Sequence, residues 1–289
     1  MSSLLTHQSN KYVKMILMGD PGSGKTGSCV SLLGLDLNLR FLDMDNGLDS
    51  FKQFALRDYP DKIGNVEYRT IRDKYKATAL GPIVTAPRAY MEASKMLIDW
   101  KYDEIDLGPP DKWGPNSVLI IDSLTLLGDA AFDWADPLTP RGRSSGESDK
   151  RATYGIAQSA LYKTLKQVTG ESFETNVVVI AHIRYVDTEI GRKGYPTAIG
   201  EALSPKIGVL FNSIALCQTA PGGKRTIQTA ATAMIDLKNP KPFEMEPKYP
   251  LETGLADFFK VLLKEPTHAE RHIPEKEESR PRVATGRRS

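Results

Sequence analysis

The chain has 289 residues, 26% charged and 40% hydrophobic, with a formal net charge of +2. That composition suits a globular protein with a sizeable core, and the near-neutral balance excludes bulk charge as a basis for nucleic-acid binding, so any basic surface must be local. The only two cysteines, Cys29 and Cys217, are far apart, which excludes a disulfide framework or a zinc site and fits a reducing cytoplasm. No apolar run is long enough to span a bilayer, and the start MSSLLTHQSNK lacks the pattern of a signal peptide.

Residues 1–11 are polar and are expected to be a flexible N-terminus. The run YVKMILMG (12–19) reads as a buried strand stopped by Gly19, and GKTGSCVSLLGL begins a helix. LRFLDMD is a second strand, LDSFKQFALRDY a short helix, and VEYRTI (66–71) a third strand. PRAYMEASKMLIDWK (87–101) has helical spacing and opens on Pro87, a residue suited to a first helical turn. After a Pro/Gly/Asp-rich loop comes VLIIDSLTLL (118–127), the most continuous apolar strand. Residues 147–168 form the longest helix candidate, with Ile156, Leu161, Leu165 and Val168 on one face. NVVVIAHI (176–183) is another buried strand. SIALCQTA (213–220) and RTIQTAATAMIDL (225–237), split by PGGK, read as an antiparallel hairpin, and GLADFFKVLLKE (254–265) as a closing helix. Strands alternating with helices predict an α/β domain over 12–265, with a mainly parallel sheet, followed by a charged, disordered tail at 266–289. His268 and His272 in that tail have helical spacing but no third ligand, so no metal is assigned there.

Gly19-Asp20-Pro21-Gly22-Ser23-Gly24-Lys25-Thr26 matches G-x-x-x-x-G-K-[ST] in full, with a strand before it and a helix after. Glycines at 22 and 24 let the backbone turn its amides inward as a nest for phosphate oxygens, and the following helix adds the positive end of its dipole. Lys25 is placed to reach the β- and γ-phosphates of ATP, and the Thr26 hydroxyl to bind Mg²⁺. VLIIDS supplies the partner element: a buried strand whose terminal Asp122 emerges beside the loop to hold Mg²⁺ through water.

FLDMDNGLD places Asp43, Asp45 and Asp49 within seven positions at the end of the second strand. In an additional-strand ATPase, an acid at the end of a strand beside the phosphate-loop strand orients the attacking water. Asp45, followed by the turn pair Asn46-Gly47, is the candidate.

These motifs together resemble the RecA/Rad recombinase family, whose second core strand ends in F-[IL]-D-x-E-x-x-x-D. In that register Asp45 takes the position of the catalytic Glu, one methylene shorter, and Asp49 that of an acid near the adenine. VVVIAHIR (177–184) is similar to the strand carrying the family's γ-phosphate sensor, with His182 at the usual Gln and Arg184 at the Arg. The return turn Gly200-Glu201-Ala202-Leu203 matches the family's G-x-A-[LW]. The resemblance implies two loops that bind single-stranded DNA. One is at 136–151 with Arg141, Arg143, Lys150 and Arg151; the other is at 185–199 with Arg192, Lys193 and Tyr195, flanked by Arg184. It also implies that Lys238 in IDLKNP, with Lys241 a second possibility, reaches the nucleotide of a neighbouring subunit, hence a homo-oligomer with ATP at its interfaces.

A core-only RecA-like chain of this size looks similar to phage ATPases of the Sak type, which act in single-strand annealing and recombination. A single-strand binding protein is an expected further partner and the host cytoplasm the expected location. Two other readings of the same motifs stay open. One is a DNA-binding module gated by nucleotide with little turnover. The other is a P-loop kinase with Arg141 and Arg143 closing on a second phosphate substrate.

Overall fold

A computed structural model describes residues 11–79, 81–140, 148–189 and 191–264; the expectations for residues 1–10, Arg141, Arg143 and the tail fall outside them. In chain order the elements are β1 (Lys14–Gly19), α1 (Lys25–Ser28), β2 (Asn38–Asp43), α2 (Asp49–Asp58), β3 (Val66–Thr70), β4 (Tyr75–Thr78), β5 (Gly81–Val84) and α3 (Ala89–Met96). They continue with β6 (Lys101–Tyr102), β7 (Ile105–Asp106), β8 (Gly114–Asp122), α4 (Leu124–Ala135), α5 (Lys150–Thr169), β9 (Thr175–Thr188) and β10 (Gly191–Pro196). The last are α6 (Gly200–Ile207), β11 (Ser213–Thr219), β12 (Arg225–Gln228), β13 (Lys248–Pro250) and α7 (Leu251–Leu263).

The central sheet runs β13-β12-β11-β1-β9-β8-β2-β3, with β10 paired to the far end of β9. From β11 to β3 every neighbour is parallel; β12 and β13 close one side antiparallel. β1 is buried along its whole length, as a strand covered on both faces must be, which is why Met15–Met18 are continuously apolar rather than alternating. Its side chains still divide by parity. Met15 and Leu17 join a core with Phe51, Leu255, Phe258 and Phe259 under α2 and α7. Ile16 and Met18 join one with Trp100, Leu127, Leu161 and Leu165 under α4 and α5.

Several expectations are adjusted. The helix after the phosphate loop is α-helical for one turn only and continues as a 3-10 helix over Cys29–Leu35. Ser28 and Ser31 each donate their hydroxyl to the carbonyl three residues back, at 2.7 and 2.8 Å; such local bonds compete with the regular helical ladder. On α5 the buried face is Thr153, Ala157, Leu161, Thr164, Leu165 and Val168, with Ile156 at its rim; small and polar residues there carry no periodic apolar signal. The hairpin exists, but β12 ends at Gln228 and Ile235 pairs instead with Gly194 of β10. Finally, β2 does not lie beside β1: β9 and β8 stand between them.

Opposite the phosphate loop, Lys14 is buried at the start of β1. Its ammonium donates to the carbonyls of Val168 (3.0 Å), Phe173 (2.7 Å) and Thr175 (2.7 Å), so all three N–H groups tie β1 to α5 and β9. Burial pushes this amine down to about 7; the three acceptors favour the charged form against that cost. Lys14→Met strands three carbonyls and is expected to lose about 1–3 kcal/mol, read as a lower urea midpoint at unchanged slope.

Candidate functional site

The parallel register places Gly19 level with His182 on one side and Cys217 on the other. Asp122 stands level with Asp43 across β8–β2. Five consecutive strands, β11, β1, β9, β8 and β2, thus bring these residues to one edge of the sheet, where ligands of open α/β folds bind. Glycine is required at 19, since a Cβ would lie 2.3 Å from the Cys217 carbonyl oxygen. Gly22 (φ 75°) and Gly24 (φ 93°) take the left-handed conformations of the loop. Asp20, Pro21 and Gly22 are exposed, whereas Ser23 is buried and its hydroxyl has no hydrogen-bond partner among the described residues. Lys25, also buried, bends over the loop and donates to the carbonyls of Gly19 (3.0 Å) and Asp20 (2.9 Å). Burial lowers its pKa, opposed by the nearby acids Asp122, Asp45 and Asp20.

Asp122 is buried and accepts the Thr26 hydroxyl at 2.7 Å on Oδ2. Burial raises its carboxyl to about 7, with Asp45 and Asp43 adding to the rise and the Thr26 bond and Lys25 opposing it. A hydroxyl and a carboxylate this close are the oxygen donor set that suits Mg²⁺. The loop's inward-turned backbone and Lys25 likewise fit the triphosphate of ATP.

The three aspartates separate into three roles. Asp43 is buried; its Oδ1 accepts the Asn46 amide (2.8 Å) and its Oδ2 the Thr70 hydroxyl (2.7 Å), so it fixes the turn after β2. Asp49 is exposed in the first turn of α2, where a negative charge complements the helix dipole. Asp45 reaches the site although its strand is remote from β1. The Asp45 and Met44 amides both donate to the Asp122 carbonyl, which folds the chain across the end of β8. There Asp45 Oδ1 accepts the Ser123 hydroxyl at 2.8 Å, and Oδ2 lies 4.0 Å from His182 Nε2. The Asp122–Ser123 peptide bond is cis.

His182 donates its backbone N–H to the Thr125 hydroxyl at 3.2 Å, and its Nδ1 is buried without a partner among the described residues. Burial first, then the Lys25 charge, lower its pKa, while Asp45 opposes them. Sequence reading missed Ser123 and Thr125 as the hydroxyls that hold Asp45 and His182 in place; the D-S pair at 122–123 was the available signal for the first.

The other candidates are dispersed. Residues 185–188 and 191–196 pair as a β-ribbon, because β9 continues past the sheet and β10 returns along it. Arg184 is paired to Glu201 (2.7 Å) and Lys193 to Asp236 (2.9 Å), while Tyr195 stands opposite Arg184, half-buried. Arg192 is exposed over the ring of Tyr185, 5.2 Å from its centroid. Lys150 is paired to Asp136 (2.9 Å), and Arg151 sits exposed in the first turn of α5. Lys238 donates to the Phe211 carbonyl of its own chain (2.6 Å), and Lys241 to the Val261 carbonyl near the end of α7 (2.9 Å). Among the described residues no helix is long and apolar enough to cross a membrane.

Residues 11–240 match the sequence family described as an AAA domain. The chain belongs to that family. It therefore carries a P-loop ATPase domain, and the α/β fold with a mostly parallel sheet is the one such a domain requires. No curated protein matches its sequence. Among solved structures it is similar to a prototypical ATPase from the type III secretion system of pathogenic bacteria (15% identity, TM-score 0.38, covering 73% of this chain and 54% of that one). It is also similar to the assembled ATPase EscN from the type III secretion system of enteropathogenic E. coli (14% identity, TM-score 0.39, covering 71% and 43%). The chain thus spans about half the length of these ATPases.

Two outcomes follow. Asp43→Ala is expected to cost about 1–3 kcal/mol of stability through its lost turn bonds while ATP binding persists, and Asp45→Ala to leave stability nearly unchanged; thermal melts and nucleotide titrations separate them. By NMR, the His182 imidazole is expected to titrate below its ordinary 6.5, neutral at pH 7. Lys25→Ala moves that midpoint up and Asp45→Asn moves it down.

Proposed function

We propose that residues 12–265 form a RecA-like ATPase domain that hydrolyses ATP, binds single-stranded DNA and acts as a homo-oligomer in the cytoplasm. Its role is that of a phage-type recombination or annealing ATPase of the Sak kind. The observation that carries the reading is the meeting of two pairs at one sheet edge, Thr26–Asp122 (2.7 Å) and Asp45–His182 (4.0 Å).

In the reaction, the loop amides and Lys25 hold the phosphate chain in place, Lys25 exchanging its contacts with Gly19 and Asp20 for phosphate oxygens. Thr26 and Asp122 would hold Mg²⁺, which when bound offsets charge on the transferring phosphoryl group. Asp45 accepts a hydrogen bond from the attacking water and aims it at the γ-phosphorus; Ser123 fixes the carboxylate's angle by holding its other oxygen. Neutral His182 hydrogen-bonds the γ-phosphate and passes its loss to β9. Since β9 runs on as the ribbon bearing Tyr185 and Arg192, that ribbon is the proposed DNA contact. Tyr185 supplies a stacking face and Arg192 a phosphate partner. A second reading, nucleotide-gated DNA binding with marginal turnover, is favoured by the short Asp45 side chain already engaged by Ser123.

Phosphate release from Mg²⁺·ATP, with and without single-stranded DNA, tests both. On the main reading DNA raises the rate, Lys25→Ala abolishes it, Asp45→Ala lowers it about 100-fold or more, and Arg192→Ala weakens DNA binding in a fluorescence anisotropy titration. Binding of ATP and DNA with no turnover in the unaltered chain selects the gated module. Turnover without any affinity for DNA removes the DNA partner altogether.

A further inference from the structure

A cleft of about 370 Å³ adjoins the phosphate loop, lined by Gly27, Val30, Phe54, Arg57, Arg225 and Leu251 among others. Its lining packs against the loop. A Cβ at Gly24 would come within 2.4 Å of Leu251 and 3.4 Å of Arg225, and one at Gly27 within 3.1 Å of Phe54. The helix start that faces phosphate is therefore also the floor of the cleft, whose size lies within the range of small-molecule sites.

One wall is preorganised. The Arg57 guanidinium lies over the Phe54 ring, 5.1 Å from its centroid. Asp58 holds it with two parallel bonds, from Nε at 2.7 Å and Nη2 at 2.8 Å. A fork fixed at two points has a fixed plane, and with 65% of the side chain exposed the outer face of that plane is open for stacking. On the other side, a turn through Gly222 and Gly223, at φ 86° and 80°, brings Lys224 and Arg225 to the rim. Val30 and Leu251 are buried and apolar. A flat planar-cation wall, an apolar floor and donors at the rim suit a heteroaromatic ring joined to a phosphate chain.

We infer that this cleft receives the base of the nucleoside triphosphate whose phosphates lie in the loop. Arg57 on Phe54 is the stacking wall and Arg225 the donor to ring acceptors; the inference rests on the ATPase reading above. It moves base recognition away from Asp49, which does not line the cleft, to the last two turns of α2 and the turn before β12.

The test compares, by calorimetry on the full-length protein, the affinities for Mg²⁺·ATP and for Mg²⁺·tripolyphosphate, which has the phosphates and no base. Arg57→Ala, Arg57→Lys and Arg225→Ala are each expected to weaken ATP about tenfold or more with tripolyphosphate within twofold; Lys25→Ala weakens both. Retained tripolyphosphate binding shows that a variant is folded. The inference is overturned if the Arg57 and Arg225 variants hold ATP within twofold of the unaltered chain, or lose ATP and tripolyphosphate equally. If Lys25→Ala changes neither ligand, it is the ATPase reading that fails.

Discussion

Everything at the site depends on one main-chain acceptor, the carbonyl of Asp122. Two strands, β9 and β8, separate the end of β2 from the strand that leads into the phosphate loop, too great a span for a side chain as short as aspartate to bridge from within the strand. By accepting the amides of Met44 and Asp45, that carbonyl bends the chain across the end of β8 and carries Asp45 to the loop. The same residue's side chain holds Thr26, and the next residue's hydroxyl holds Asp45. Backbone and side chain of two consecutive residues therefore set the position of both acids relative to the loop. Asp43 reinforces this from below by closing the turn and fastening β3 through Thr70.

The arrangement concentrates charge where water is scarce. Lys25 and Asp122 are both buried, and burial shifts each toward its neutral form while their mutual attraction resists it. Neither acid can be dispensed with to relieve the other, because they face different partners. Such a cluster is held in place by the sheet and not by its own attraction, since desolvation of paired charges offsets most of the Coulombic gain. The rigidity comes from six parallel strands packed on both faces, which leaves the site free to carry groups that destabilise it.

The sequence made the sheet strands, the phosphate loop and Asp122 legible for a simple reason: each is specified by contiguous residues. Four successive apolar residues before Gly19, or a full G-x-x-x-x-G-K-[ST], need no knowledge of the rest of the chain. Asp45 was expected on a strand beside β1, whereas β9 and β8 intervene, because strand order is set by crossovers that no local pattern records. Ser123 and Thr125 were not read as positioning groups, since one hydroxyl gains meaning only from the side chain 78 positions away that it meets. The basic residues of the expected DNA loops show another property that the linear sequence does not carry. Counting cations along the chain cannot show that Lys150, Arg184 and Lys193 are already paired within the fold, whereas Arg192 and Arg151 are exposed and in no ion pair among the described residues.

The length of β9 bears on how a chemical event could be felt elsewhere. Its first half is buried between β1 and β8 and its second half stands out as one arm of the ribbon, with His182 at the boundary. A loop at this place would absorb a displacement of His182 in backbone torsions. A strand whose outer arm is laddered to β10 does not have that freedom. The ribbon is further fastened where the Gly194 amide donates to Met234 (2.7 Å) and Lys193 pairs with Asp236 (2.9 Å). A shift at the strand end must therefore move the ribbon as a unit or not at all. On the proposed reading, the ion pairs that remove Arg184 and Lys193 from DNA contact do not weaken the case for the ribbon as a DNA element. They make it stiff enough for a change at the γ-phosphate to reach Tyr185 and Arg192 through a continuous, hydrogen-bonded path.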